Sequence, residues 1–583
     1  MVGNFMMQAD NVVRSTCPYC GVGCQILLNI RSDRIVRIDA PFDAAPNFGR
    51  LCVKGRFGTD YVHHADRLTV PLIRRVAQLA GQRTAATDRA EWREATWDEA
   101  LDLVVTRLLA LRWQYGADCI TNNVCAKATN EDNYLLQKYI RAVIGTNNVD
   151  HCTRLCHAGS VAALQLAVGS SAMSNTIAEM KDLECFIITG SNTADNHPVM
   201  ATFMKQAIAK GAKLIVADPR QTEMCQFATL WLRQQPGTDP ALFNAMAHVI
   251  VKEELYNKEF IAQRTEGFSA YIESLEHKTP EWAETITGVA AEDIRKAARM
   301  YAKANAAAIY WGMGISQSVH GTDNSLTLIN LALMCGQIGR LGTGLNPLRG
   351  QNNVQGCSDS GGMPTVFTAY QQVSDPTVRH KFEQAWHSKL SAVPGLTTTE
   401  MVGGILDGRV KGWYVMGENP LMSDPDLNHA RHAVEQLEFF VAQDIFFNET
   451  NVYADVILPA AAFAEKDGTF TNSDRRIQRV RQAVPTPGAA RADWAIVTEV
   501  AQRTIRKIVQ EAHLHVDSPC REFDEHICAN AEAMLMNWNY QHPQDIWNEM
   551  REVTPDFYGV TYQRLEHEGG VHWPCPSLDH PGS

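Results

Sequence analysis

Four cysteines restrict this chain more than any other feature. Cys17, Cys20, Cys24 and Cys52 follow a C-x2-C-x3-C-x27-C spacing. Four thiolates converging from a tight loop and one distant return suit a cubane iron–sulfur cluster. Zinc also takes four thiolates, but zinc ribbons pair one C-x2-C with another. Gly21 and Gly23 let the backbone wrap closely around a bulky object. A cluster moves single electrons, which implies a redox enzyme or an electron carrier.

A chain of 583 residues exceeds one simple core, so several domains are expected. The net charge of −12 argues against nucleic acid as a partner. No run of about 18 apolar residues appears, so no membrane span is expected. Met1 to Arg14 shows neither a twin-arginine pair nor an apolar signal core. The 15 cysteines are scattered, as in a reducing compartment, and the cytoplasm is the expected location. A peripheral membrane assembly, reached through partner subunits, stays open.

The segment Cys24–Asp39 reads as a hairpin turning at Arg31-Ser32-Asp33, which places the cysteine loop on a small β-rich lobe. Thr96 and Glu99 form a capping box ahead of a helix to Tyr115. Strands then alternate with helices. Cys185–Thr189 ends in Gly190-Ser191-Asn192, Lys213–Ala217 in Asp218-Pro219-Arg220, and Ala307–Trp311 in Gly312-Met313-Gly314. A second set has Trp413–Met416 before Gly417-Glu418-Asn419-Pro420, Phe439–Ala442 before Gln443-Asp444, and Val456–Leu458 before Pro459. Doubly wound α/β sheets bind ligands at such carboxyl ends. Two sets imply two nucleotide-like sites, or one cofactor pair between two domains. No G-x-G-x-x-G opens the first βα turn, so a nicotinamide dinucleotide is not indicated. The stretches Asn346–Pro364 and Gly468–Gln478 read as functional loops.

Other side chains carry two readings each. Lys54 is a surface lysine, or a cation that stabilises a reduced cluster and bridges to a second cofactor. The run His151-Cys152-Thr153-Arg154-Leu155-Cys156-His157 holds buried thiols and a capping histidine, or a metal thiolate beside a proton-carrying imidazole. Arg349, in Leu348-Arg349-Gly350-Gln351, forms a surface ion pair or reaches a small anion with its fork. Asp218 can accept from ribose hydroxyls or a guanine edge.

Taken together, these motifs resemble the molybdopterin oxidoreductases that carry a bis-guanine-dinucleotide cofactor, and within them the formate dehydrogenase catalytic subunits. The resemblance runs from about residue 14 to the end. It implies a [4Fe–4S] cluster on Cys17, Cys20, Cys24 and Cys52, and molybdenum or tungsten on Cys156. It implies that His157 takes a proton, Arg349 orients formate, and Lys54 passes electrons between pterin and cluster. One guanine-dinucleotide arm is implied at Gly190, Asn192, Asp218, Arg220, Gly237, Asp239, Gly312, Gly314 and Gln317. The other is implied at Gly417, Glu418, Asn419, Pro420, Gln443 and Asp444. Gln351 and Lys127 are further implied contacts, and relatives can place an arginine where Lys127 stands. Glu465 to Gln478 looks like a late loop packing back near the cluster lobe.

The implied architecture is α/β: a β-rich cluster lobe (1–66, with part of 464–492 against it) and two Rossmann-like domains (67–150 with 352–583, and 151–351). The family's closing C-terminal β-barrel-like domain would begin near Trp573-Pro574-Cys575-Pro576. The resemblance leaves it to a separate chain, to loss, or to a fragment. The implied reaction is reversible oxidation of formate to carbon dioxide. An iron–sulfur partner subunit would take the electrons, linked to a hydrogenase or a reductase. The alternatives are a related enzyme such as assimilatory nitrate reductase, and a non-catalytic relay or scaffold subunit.

Overall fold

The computed structural model describes residues 9–583. The reading of Met1–Arg14 and the start of the 1–66 lobe therefore lie partly outside the described residues. Asn11–Thr16, Gln25–Arg31 and Arg34–Asp39 form an antiparallel three-stranded sheet. Its first two strands pair Thr16 with Gln25, so Cys17, Cys20 and Cys24 all lie in one connecting loop.

A five-stranded sheet is parallel throughout. Its spatial order is Leu230–Leu232, Lys213–Ala217, Cys185–Thr189, Ala307–Trp311, Gly344–Pro347. The chain winds outward from Cys185–Thr189 in one direction and then returns to wind in the other. That leaves a switch point between Cys185–Thr189 and Ala307–Trp311, where connections diverge and a crevice opens. Both strands are buried along their whole length and read as continuous apolar runs, as a covered parallel sheet requires.

A seven-stranded sheet repeats the device. Val456–Pro459, Phe439–Asp444, Gly412–Met416, Ile120–Asn123 and Val149–Asp150 run parallel, and Leu72–Arg74 with Trp92–Glu94 adds an antiparallel edge. Its switch point lies between Ile120–Asn123 and Gly412–Met416. The helix Trp97–Tyr115 packs on this sheet. Thr96 Oγ1 accepts from the Glu99 amide at 3.2 Å, and Glu99 Oε2 accepts from the Thr96 amide at 3.0 Å. Leu101 and Leu108 are fully buried beneath it, at about 1.5–3 kcal/mol each.

Three sequence expectations need correction. Gly468–Gln478 is not a loop: Gly468–Thr471 and Arg476–Val480 pair as a hairpin, joined by Val571–His572. Its β-branched Thr469, Thr471 and Ile477 set the strand period that the polar turn obscured. Asn346–Pro364 holds a strand end and the helix Val354–Asp359. Gln443 and Asp444 are the last residues of their strand, not residues beyond it. Among the described residues no helix is long and apolar enough to cross a membrane.

Candidate active site

All four cysteines of the opening motif are free thiols. Burial pushes the Cys17 thiol up to about 12, and Cys20 beside it adds to the rise. Burial likewise raises Cys20 and Cys24. Crowded thiols in a dry loop gain most from a cationic guest, which turns them into bound thiolates. Cys17, Cys20, Cys24 and Cys52 crowd one another, and a cubane offers each thiolate its own iron, so the donor set fits a cluster.

The loop is bound tightly to its neighbours. Gly21 N donates to Gly350 O at 3.1 Å, and Ser473 N donates to Gly21 O at 2.8 Å. A Cβ on Gly21 would stand 2.4 Å from the Arg349 carbonyl oxygen, so only glycine permits this approach. Asn472 and Gln478, from the late hairpin, donate to Val22 O and Gly23 O at 2.9 Å each.

Two cavities flank the loop, and Tyr19 lines both. The first, of about 650 Å³, opens at the switch point of the five-stranded sheet. Its walls are the turns after three strands, carrying Gly190 and Asn192, Asp218 and Arg220, and Gly312, Gly314 and Gln317. Gly237, Asp239, Gln351 and Lys54 complete it. Lys54 Nζ reaches the Asp195 carbonyl at 3.4 Å. The second cavity, of about 300 Å³, opens at the other switch point and is lined by Lys127, Gly417, Gln443 and Asp444. Glu418 and Asn419 do not line it. Glu418 Oε1 accepts from Cys152 N at 3.1 Å, and burial pushes its carboxyl up to about 8. Asn419 Nδ2 donates to Glu449 Oε2 at 2.7 Å.

Cys156 ends the short helix Thr153–Cys156 beside the first cavity's rim, where Ser316 Oγ donates to its carbonyl at 2.6 Å. Burial pushes its thiol up to about 11, against the pull of the nearby Arg349 charge and the Gly350 amide. His157 is fully buried, and burial, then Arg349, pushes its imidazole down to about 3. Its hydrogen bonds fix the neutral tautomer. The Leu348 carbonyl, 3.0 Å from Nε2, can only accept, so Nε2 carries the hydrogen. Nδ1 then accepts from Ser160 Oγ at 3.2 Å, which itself accepts from Trp311 Nε1 at 2.8 Å.

Arg349 is buried. Its Nε donates to Gln355 Oε1 at 3.0 Å and its Nη2 to Ser171 O at 2.6 Å. Nη1 has no partner. Among the described residues no carboxylate pairs with this guanidinium. Asp359 stands behind it, accepting from Gln355 Nε2 at 2.7 Å and from Trp573 Nε1 at 2.8 Å, and burial pushes its carboxyl up to about 7. Further buried polar atoms nearby lack partners: His197 Nδ1, Gln351 Oε1 and both side-chain termini of Asn352. An unsatisfied buried polar atom costs about 1–3 kcal/mol. His197 and Gln351 line the first cavity, where such atoms fit a large polar guest. Gln355 and Asp359 lie within the stretch Asn346–Pro364 singled out in the sequence, whereas His197 carried no motif and the roles of Ser160 and Trp311 come from a contact across 151 residues.

Fold and site together define an iron–sulfur oxidoreductase built around a two-armed dinucleotide cofactor. The sequence pattern of the molybdopterin oxidoreductases matches residues 67–503, and that of their Fe4S4 domain matches residues 10–64. The chain belongs to the molybdopterin oxidoreductase family, and its cofactors are a [4Fe–4S] cluster and a molybdenum- or tungsten-pterin. It is 42% identical to the F420-dependent formate dehydrogenase 1 subunit alpha of Methanococcus maripaludis, over 98% of this chain and 77% of that one. It is 41% identical to formate dehydrogenase H of Escherichia coli, over 97% of this chain and 74% of that one. Among solved structures, acetylene hydratase from Pelobacter acetylenicus shares the fold, with a TM-score of 0.76 at 19% identity, over 96% of this chain and 74% of that one.

Proposed function

We propose that this chain is a formate dehydrogenase catalytic subunit that oxidises formate reversibly to carbon dioxide, a proton and two electrons. The observation that carries this reading is Arg349: a buried guanidinium with no carboxylate partner and one free nitrogen, held beside Cys156. A buried cation with neither a counter-ion nor a partner for one of its N–H groups is suited to receive a small anion. Nε and Nη2 are anchored, so Nη1 presents a single face to the carboxylate.

The metal–pterin, held by Cys156 and both cavities, supplies the two-electron acceptor when bound. Its arms take the bis-guanine-dinucleotide form, one along Gly190–Asp239 and Gly312–Gln317, the other along Lys127, Gly417, Gln443 and Asp444. Glu418 and Asn419 support the second arm from behind, through Cys152 and Glu449. His157 relays the substrate proton through Nδ1, the nitrogen with a lone pair, once Ser160 turns its hydrogen towards Ser325 Oγ at 3.5 Å, and does not retain it, because burial beside Arg349 holds the imidazole down at about 3. Lys54, between the first cavity and the Cys20 side of the loop, favours electron passage to the cluster.

On this reading residues 1–66 form the cluster lobe, with 67–150 and 352–583 holding one arm and 151–351 the other arm and Cys156. Electrons leave singly to an iron–sulfur partner subunit, and the protein works in the cytoplasm. The test is formate-dependent dye reduction by purified protein with its partners, alongside metal analysis and nitrate as alternative acceptor. Formate turnover with molybdenum or tungsten present is expected. Metal-replete protein that reduces nitrate but leaves formate untouched would overturn the proposal.

A further inference from the structure

Lys127 has no place in the chemistry above beyond lining the second cavity, yet its ammonium is tied to the cluster loop. Nζ donates to Pro18 O at 2.9 Å and to Tyr19 O at 2.8 Å. Those are the two residues between the ligand cysteines Cys17 and Cys20. The ammonium also stands 5.8 Å from the centre of the Tyr19 ring. With two of its hydrogens spent on carbonyls, the third is left for the cavity. The side chain is open to that cavity yet ringed by protein, and burial lowers its pKa.

Lys54 differs. It approaches from the opposite cavity and donates to Asp195 O, not to the loop. Lys127 is therefore the cation attached to the stretch that carries two cluster ligands. Its own position is fixed: its amide donates to Cys125 Sγ at 3.3 Å, and Thr129 caps the helix Asn130–Tyr139 just beyond. A cation close to an anionic cluster favours the form with one more electron.

We propose that Lys127 is a second tuning cation of the cluster site, holding the Cys17–Cys20 loop and raising the cluster's reduction potential from the side opposite Lys54. The inference rests on the cluster and not on formate as substrate. A redox titration without formate therefore separates its failure from failure of the functional proposal.

The experiment is a spin-resonance-monitored redox titration of the cluster in purified holoenzyme, for the native chain, Lys127→Gln and Lys127→Arg, with iron measured in each. Lys127→Gln is expected to shift the one-electron equilibrium towards the oxidised cluster about tenfold, ~59 mV lower in potential. Lys127→Arg keeps the charge and is expected to restore the native potential. An unchanged potential in iron-replete Lys127→Gln overturns the proposal. If Lys127→Gln loses iron, Lys127→Arg decides. A native potential there supports the charge role, and a tenfold fall with iron retained contradicts it.

Discussion

Two buried cations beside the cavities, Lys466 and Arg349, are held in opposite ways. In the second cavity, Lys466 Nζ donates to Asp132 Oδ2 at 2.7 Å and to Asp493, which also accepts from Gln443 at 2.7 Å. Two carboxylates surround one ammonium and neutralise its charge. Beside the first, Arg349 is equally buried but meets only an amide oxygen and a carbonyl, with Nη1 free. A satisfied buried cation belongs to the fold. One held without a counter-ion, with its desolvation uncompensated, belongs to a ligand.

That contrast can be broken by mutation. Lys466→Met strands two buried carboxylates side by side and is expected to destabilise the chain by about 3–5 kcal/mol. Thermal or denaturant unfolding measures it, and a native-like midpoint would erase the distinction. Arg349→Met removes an uncompensated buried charge and leaves no carboxylate behind. It leaves Gln355 Oε1 and Ser171 O without that partner, so its loss of stability is expected to be about 1–3 kcal/mol, less than for Lys466→Met. A loss as large as that for Lys466→Met would mean Arg349 is a structural cation too.

A pH-dependent effect sharpens the picture at Glu418, which links the second sheet to the Cys152 amide. Burial raises its folded pKa to about 8, while an unfolded glutamate titrates near ~4.3. Between these values the folded chain binds more protons than the unfolded one, so this group's contribution to stability falls as pH rises and is lost above about 8. Glu418→Gln keeps an oxygen for Cys152 N and has no proton to lose. Its midpoint relative to native is therefore expected to rise by about 2 °C between pH 5 and pH 9. A difference that stays flat with pH would place the titration elsewhere.

The two cavities also differ in how far the sequence discloses them. The first is walled by residues that directly follow strands, so Gly190, Asp218 and Gly312 could be read from apolar runs ending in glycine and aspartate. Gly417 and Asp444 were legible in the same way. Lys466 and Asp493 were not, because they meet only through a hairpin that masqueraded as a polar loop. Cys156 and Arg349 stood out by residue type within their motifs, but their support did not. Ser160 and Asp359 act through hydrogen bonds to Trp311 and Trp573, 151 and 214 residues away, which no local spacing encodes, whereas Gln355 meets Arg349 within the same motif.

The central claim is that Arg349 awaits formate. Its most direct measurement is steady-state formate oxidation by holoenzyme with matched iron and metal content, comparing native protein with Arg349→Lys and Arg349→Met. Lysine keeps the charge but not the anchoring bonds to Gln355 and Ser171 that aim Nη1, so KM for formate should rise with kcat largely kept. Methionine should lower kcat/KM by about a hundred- to a thousand-fold. Native kcat/KM in a metal-replete Arg349→Met enzyme would contradict the account.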